Sequence, residues 1–290
     1  MFAGTLSTPP KDAMNASDLS AWILLIIELG ALGLATGFLA GLLGIGGGMI
    51  MVPFLTYILS SRGISADLTV KMAIATSMAT IIFTSLSSVR AHHKRGAVRW
   101  DIVRTLAPGI VVGAMVASLG VFAVIKGNWL AFIFAGFVGF SAYQMLRNKQ
   151  PKPGRGLPGP LGLFGVGGGI GFLSGLVGAG GGFVSVPFLV WSNVVMHNAV
   201  ATSAALGFPI ALANALGYIW SGQSVEGLPP GAIGYIFMPA LVIIAVTSVL
   251  MAPLGVRTAH ALPVPKLKRA FASVLFCLAG YMLWKALSSM

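Results

Sequence analysis

Between residues 22 and 59 the chain carries a single charged side chain, Glu28, in a run otherwise built from apolar residues, glycine and a few hydroxyls. Such a run exceeds the roughly 20 apolar residues that one bilayer crossing needs. Further apolar stretches fall at about 70–89, 102–125, 129–146, 161–192, 198–220, 232–256 and 269–287. Hydrophobic types make up 57% of the 290 residues and charged types 8%. A soluble domain carries about 25% charged residues, so most of this surface has to face lipid. The net charge of +12 does not indicate nucleic acid, because the cations sit in short loops and not on one wetted face. The single cysteine, Cys277, excludes an intramolecular disulfide and a multi-cysteine metal site, and reads as packing. The first 20 residues have no basic segment ahead of the apolar run, so no cleaved signal peptide is expected.

The chain is written twice. GFLAGLLGIGGGMIMVPFL at 37–55 and GFLSGLVGAGGGFVSVPFL at 171–189 align without a gap. AIATS at 73–77 matches AVATS at 199–203, and Pro108 in LAPGIV is paired with Pro239 in FMPALV. The segment RNKQPKPGRGLPGP at 147–160 is a linker by its Pro, Gly and basic content. The expected organisation is an extracytoplasmic tail at 1–21, a first repeat at 22–146, the linker, and a second repeat at 161–287.

Charge orients the copies. Three segments, around 90–104, 147–155 and 257–269, hold thirteen of the eighteen basic residues and one acid, Asp101. Cytoplasmic loops collect Lys and Arg, so 90–99, 147–157 and 257–268 are expected inside. The counterpart of 90–99 is 221–231, which has no Lys or Arg and one acid, Glu226, and is expected outside with both termini. Equivalent loops on opposite sides mean inverted-topology repeats. An odd number of crossings per half follows if each long run enters and returns as a hairpin broken at its glycines, with three transmembrane helices after it. A single continuous broken helix would move 257–269 to the outside, against its charge. The predicted fold is therefore an all-α polytopic membrane protein.

The glycine triplets mark the candidate site. Consecutive glycines permit left-handed backbone and free N–H groups, and in a bilayer such groups must be buried in protein or line a cavity. Pro53 and Pro187 suit the first turn of a new helix, whose N-terminus favours an anion. The predicted anion contacts are Gly46, Gly47, Gly48, Gly180, Gly181 and Gly182, with the repeated hydroxyls Thr76, Ser77, Thr202 and Ser203 and the buried amide Asn214. Lys71 and His197 head the two ATS elements and are expected to gate or attract the anion at the two mouths. Gly37, Gly41 and Gly44, with Gly171, Gly175 and Gly178 in the second copy, read as close helix packing. His92 and His93 read as solvated loop residues, and no metal site or cofactor is expected. No carboxylate lies near the centre of a span, which disfavours an acidic relay.

At the paired glycine–proline and ATS segments, and in HHKRGAVRW at 92–100, the sequence resembles the TauE/SafE family of membrane transporters, the sulfite exporters, over 22–287. The resemblance implies secondary transport, as an exporter, of sulfite, an organosulfonate or a related small anion across the bacterial inner membrane. It implies partners no more specific than the small anion and the lipid bilayer; a homo-oligomer and a coupling ion, proton or sodium, stay open. A membrane scaffold and an intramembrane enzyme are the alternatives. A scaffold does not need two glycine turns, and the chain has no GxSxG or HExxH.

Overall fold

The computed structural model describes residues 16–43, 47–147, 156–261 and 264–288. Ten helices follow one another there: α1 (Ala16–Leu43), α2 (Gly48–Ser61), α3 (Ala66–His93), α4 (Trp100–Val124), α5 (Gly127–Arg147), α6 (Pro160–Val177), α7 (Gly182–Trp191), α8 (Met196–Ser221), α9 (Met238–Ala261) and α10 (Val264–Ser288). A two-stranded hairpin, β1 (Ala232–Ile233) and β2 (Ile236–Phe237), precedes α9. Eight of the helices are long and apolar enough to cross a membrane; α2 and α7 are the short ones. At 1.5 Å per residue they reach roughly 21 and 15 Å, about half a bilayer. The protein is all-α and polytopic.

Both long apolar runs are hairpins. A Cβ on Gly47, at the head of α2, would stand 2.8 Å from the Thr36 carbonyl of α1. At the other end of α2, Arg62 pairs with Glu28 at 3.7 Å. The short helix therefore runs back along α1. In the second half Gly181 lies against Ile170 and Ser174 of α6, so the chain turns back on α6 before α7 begins. A continuous broken helix is excluded in the first half. The proline expectation needs correction, because Pro53 and Pro187 sit inside α2 and α7, at the sixth residue of each. Each helix starts at the last glycine of its triplet, capped by left-handed Gly47 (φ 71°) or Gly181 (φ 74°). In the second half the chain is out of helix from Gly178 to Gly181, both left-handed.

Small residues set the packing. A Cβ on Gly37 would stand 2.3 Å from the Ser248 carbonyl of α9, and one on Gly171 would stand 2.2 Å from the Ile110 carbonyl of α4. Gly33 meets Ile244 and Gly167 meets Leu106 in the same fashion. Each half's first helix therefore lies backbone to backbone on a helix of the other half, the contact that small residues allow in lipid. At the centre α3 crosses α8 where Gly207 meets Ile81 and Ser85. These two helices have 72% of their apolar window buried, against 33–44% for the other six spans. Their many Thr and Ser residues are tolerated because the hydroxyls bond back to helix carbonyls, as Thr80 does to Thr76 and Thr84 does to Thr80.

The molecule has two distinct ends. At the basic end the 94–99 loop packs on the start of α8, with Asn198 Nδ2 donating to the Ala97 carbonyl at 3.0 Å. Arg95 donates there to the Val256 carbonyl at 3.3 Å. At the opposite end the Gly127 N–H donates to the Asp67 carboxylate, and Lys285 Nζ donates to Ser60 Oγ at 2.7 Å. The expected loop at 90–99 is shorter, since α3 continues to His93 and buries His92, which the sequence had suggested was solvated. Residues 232–237, expected to open a span, form the β hairpin instead, with Phe237 bonded to α3. Pro108 is the ninth residue of α4 and Pro239 the second of α9, so the two prolines are not at matching places. Cys277, expected to be packed, faces outward from α10.

Candidate substrate site

The two glycine turns meet at the middle of the molecule. A Cβ on Gly48 would stand 2.1 Å from the Gly178 carbonyl and 3.0 Å from Ser77 Oγ. Ser77 Oγ donates to that same Gly178 carbonyl at 3.0 Å, joining α3 of one half to the turn of the other. In the second turn Ser203 Oγ lies 2.7 Å from Ser185 Oγ, and Ser185 donates to the Gly181 carbonyl at 3.0 Å. Ser77 and Ser203, both fully buried, thus hold the second turn, one from each half. Gly46 lies outside the described residues.

The threonines do something else. Thr76 Oγ1 accepts the Phe237 N–H at 3.0 Å, and Thr202 Oγ1 accepts the Arg99 N–H at 3.1 Å. Phe237 and Arg99 are each the residue before a long helix, α9 and α4. Both hydroxyls therefore satisfy an N–H that no helical turn can reach. The two copies make the same bond at opposite ends of the molecule, and the ATS motif pins a loop in each.

Helix α7 presents donors. Gly181 is left-handed, so its neighbours cannot continue the helix of α6, and α7 begins afresh at Gly182. Among the described residues, the N–H groups of Gly180, Gly182 and Phe183 donate to no main-chain carbonyl. They add to the positive end of the helix dipole. Gly180 forms part of the wall of a narrow cleft of about 10 Å³, room for about one water. The facing wall is α3, with Thr84, Ser85 and Ser88 beside the apolar Ile81; Ser203, Ala204 and Gly207 of α8 and Ala40 of α1 complete it. Thr84 and Ser85 donate to carbonyls of their own helix. Ser88 is 2% exposed, and its hydroxyl has no hydrogen-bond partner among the described residues. Every lining side chain is uncharged. The cleft lies in the basic half, beside the turn at which Arg90, Lys94 and Arg95 are exposed.

The opposite half is shut. Tyr218 is fully buried and its hydroxyl donates to the Gly175 carbonyl. Phe122 stacks on Tyr218 with centroids 4.4 Å apart, and Tyr235 meets Phe122 edge-on at 5.6 Å. Lys71 Nζ lies 5.7 Å from the Tyr235 ring and 3.5 Å from Asp67. Burial and the Asp67 carboxylate both raise the Tyr235 phenol above its usual range, so it stays neutral. Beside this plug α4 widens into a π-helical turn, Val116–Val121, a distortion that often marks functional sites. Asn214 is fully buried there: Nδ2 donates to the Ile210 carbonyl at 2.9 Å, and Oδ1 points at Gly175 without a partner among the described residues. Lys71 and His197 do sit at opposite ends, but Lys71 is 6% exposed and engaged in the plug.

Comparison with known proteins agrees with this architecture. Residues 29–282 match the family described as Sulfite exporter TauE/SafE. The chain belongs to the TauE/SafE family. A probable membrane transporter protein of Haemophilus influenzae is 36% identical over 266 residues, covering 91% of this chain and 99% of that protein. A probable membrane transporter protein of Methanocaldococcus jannaschii is 29% identical, covering 90% of this chain and 97% of that one. No solved structure matches significantly. Within this TauE/SafE chain, sequence reasoning missed Thr84, Ser85 and Ser88 because they occur in only one copy of the repeat. The signal was available: Thr80, Thr84, Ser85, Ser87 and Ser88 crowd one apolar helix, and buried hydroxyls in a span mark packing glue or a ligand path.

Proposed function

We propose that this TauE/SafE member is a secondary transporter of a small oxygen-rich anion such as sulfite or an organosulfonate, working as an exporter by alternating access. The anion is held in the cleft between the free amides at the head of α7 and the hydroxyls of α3. The observation that carries this reading is the unpartnered hydroxyl of Ser88, buried in a cleft lined by Thr84, Ser85 and Ser203 beside the second glycine turn. N–H and O–H donors suit an oxyanion, and hydrogen bonds to a charged group are about twice as strong as neutral ones. The absence of a lining ammonium or guanidinium leaves release fast enough for turnover.

Orientation and cycle complete the reading. The basic end is cytoplasmic by its charge, the halves are inverted repeats, and the cleft opens inward while the Tyr218–Phe122–Tyr235 plug closes the outside. The matched bonds of Thr76 and Thr202 support the inversion. Exchange of the two conformations between the halves opens the outside and closes the cleft. The test is a binding screen of the purified protein against sulfite, sulfate, thiosulfate and short sulfonates, followed by flux of the ligand into proteoliposomes. Binding of one of them with matching flux is expected. Binding and flux of none removes the proposal.

A further inference from the structure

The plug that shuts one half has counterparts in the other. Gly33 and Gly37 of α1 meet α9 at Ile244 and Ser248, and Gly167 and Gly171 of α6 meet α4 at Leu106 and Ile110. These matched contacts align α1 with α6 and α4 with α9, so that Ile244 answers to Leu106. Seven residues before each stand Phe237 and Arg99, and theirs are the two N–H groups that Thr76 and Thr202 accept. Packing and hydrogen bonding thus give the same pairing by independent routes. In that register Tyr235 answers to Ala97 and Gly175 to Gly41. On the shared ATS, Tyr218 answers to His92, Lys71 to His197 and Asp67 to Asn193.

The two ends fill these places differently. In the shut half Tyr218 donates to the Gly175 carbonyl, and Lys71 lies between the Tyr235 ring at 5.7 Å and Asp67 at 3.5 Å. In the basic half an imidazole stands for the phenol of Tyr218 and a methyl group for the ring of Tyr235. His197 stands for Lys71, and an amide, Asn193, for the Asp67 carboxylate. His92 is buried and follows Ser88 by one helical turn, so it shares the face of α3 that carries the cleft hydroxyls. A neutral imidazole keeps one N–H to donate, which is all that the bond made by Tyr218 requires. It is also smaller than a phenol ring and buries less apolar surface when it packs.

We infer that His92 is the gate of the basic half, with His197 as its latch. When the halves exchange conformations, His92 swings into the place that Tyr218 holds now, and its N–H donates to the Gly41 carbonyl. His197 then takes the buried position of Lys71. The gate rests on the alternating-access reading of the two halves. It leaves the gates unequal, one built of stacked rings and an ion pair, the other of an imidazole and a methyl group. The basic half closes more weakly, and the resting molecule is the one with its outer plug shut.

The experiment exchanges the gates and reads both halves. Full-length protein in nanodiscs carries Cys277→Ser and one reporter, Ser88→Cys or Asn214→Cys, and a small maleimide measures the rate at each thiol. Adding His92→Tyr with Tyr218→His should speed the thiol at 214 at least about tenfold and slow the thiol at 88 by a similar factor. Opposite changes at two sites mark an exchange of gates, which mere loosening of the packing does not produce. His92→Tyr alone leaves the outer plug intact and should slow the thiol at 88, which keeps the test in force where the exchanged pair does not purify as one species. Rates unchanged at both thiols, or raised at both, overturn the gate; anion flux by the unaltered protein then leaves the transport reading standing. Absence of flux for every anion of the screen removes the transport reading and the gate with it.

Discussion

Helices α3 and α8 come from the same duplicated segment and do opposite work. Aligned on the shared ATS, Thr84 and Ser85 of α3 stand where α8 has Ile210 and Ala211, and Ser88 stands where α8 has Asn214. One turn further on, His92 of α3 faces Tyr218 of α8 across the same alignment. In the basic half, hydroxyls leave a cleft with an unsatisfied donor. In the opposite half, Ile210 and Tyr218 are fully buried and stacked rings fill the space. The duplicated glycine segments thus frame one half suited to a polar ligand and another suited to closure. The difference is written in four or five side chains, with the backbone scaffold held in common.

The strongest way to break the comparison is to give α3 the face of α8. Thr84→Ile with Ser85→Ala should abolish anion binding by filling the cleft with apolar bulk and removing its polar lining, read by calorimetry. The fold should survive, because both hydroxyls bond only to carbonyls of their own helix. Next in size is the plug. Asp67→Ala leaves Lys71 nearly buried without its carboxylate, and thermal or denaturant unfolding in detergent should report a loss of about 2 kcal/mol. Adding Lys71→Met removes the stranded charge and should recover most of that. The reverse transplant, Ile210→Thr with Ala211→Ser, should cost about 1–2 kcal/mol of stability by removing buried apolar surface. It should gain no anion affinity, since Tyr218 still fills the path. Smallest is Ser88→Ala, which should weaken anion binding by about 1 kcal/mol, while Asn214→Ala leaves affinity in this conformation unchanged.

The fold was legible where the bilayer dictates it. A span needs a length of apolar residues that no soluble helix needs, so the eight long helices could be read directly, and the glycine-broken runs pointed to two hairpins. Boundaries were less legible for a local reason. The last turns of α3 carry Arg90, His92 and His93, which read as a polar loop, yet a helix can emerge from lipid and continue while burying one polar face. The β hairpin was hidden because Ala232, Ile233, Ile236 and Phe237 look like the start of a span. Only Gly231 and Gly234, both with positive φ, bend them away. Repeated motifs led to the shared scaffold: Ser77 and Ser203 at the turns, Thr76 and Thr202 at the loops. They could not lead to Ser88, because a difference between copies does not stand out in a search for sameness.

Reactivity at two matched positions tests the central claim most directly. In a Cys277→Ser background, Ser88→Cys and Asn214→Cys place one thiol in the cleft and one in the closed half, and a small maleimide reports which is reached. The account predicts that the thiol at 88 reacts, that ethanesulfonate slows its reaction, and that the thiol at 214 is inert with or without the anion. If the anion protects the thiol at 214 and leaves that at 88 unaffected, the ligand does not occupy the hydroxyl-lined cleft and the account is contradicted.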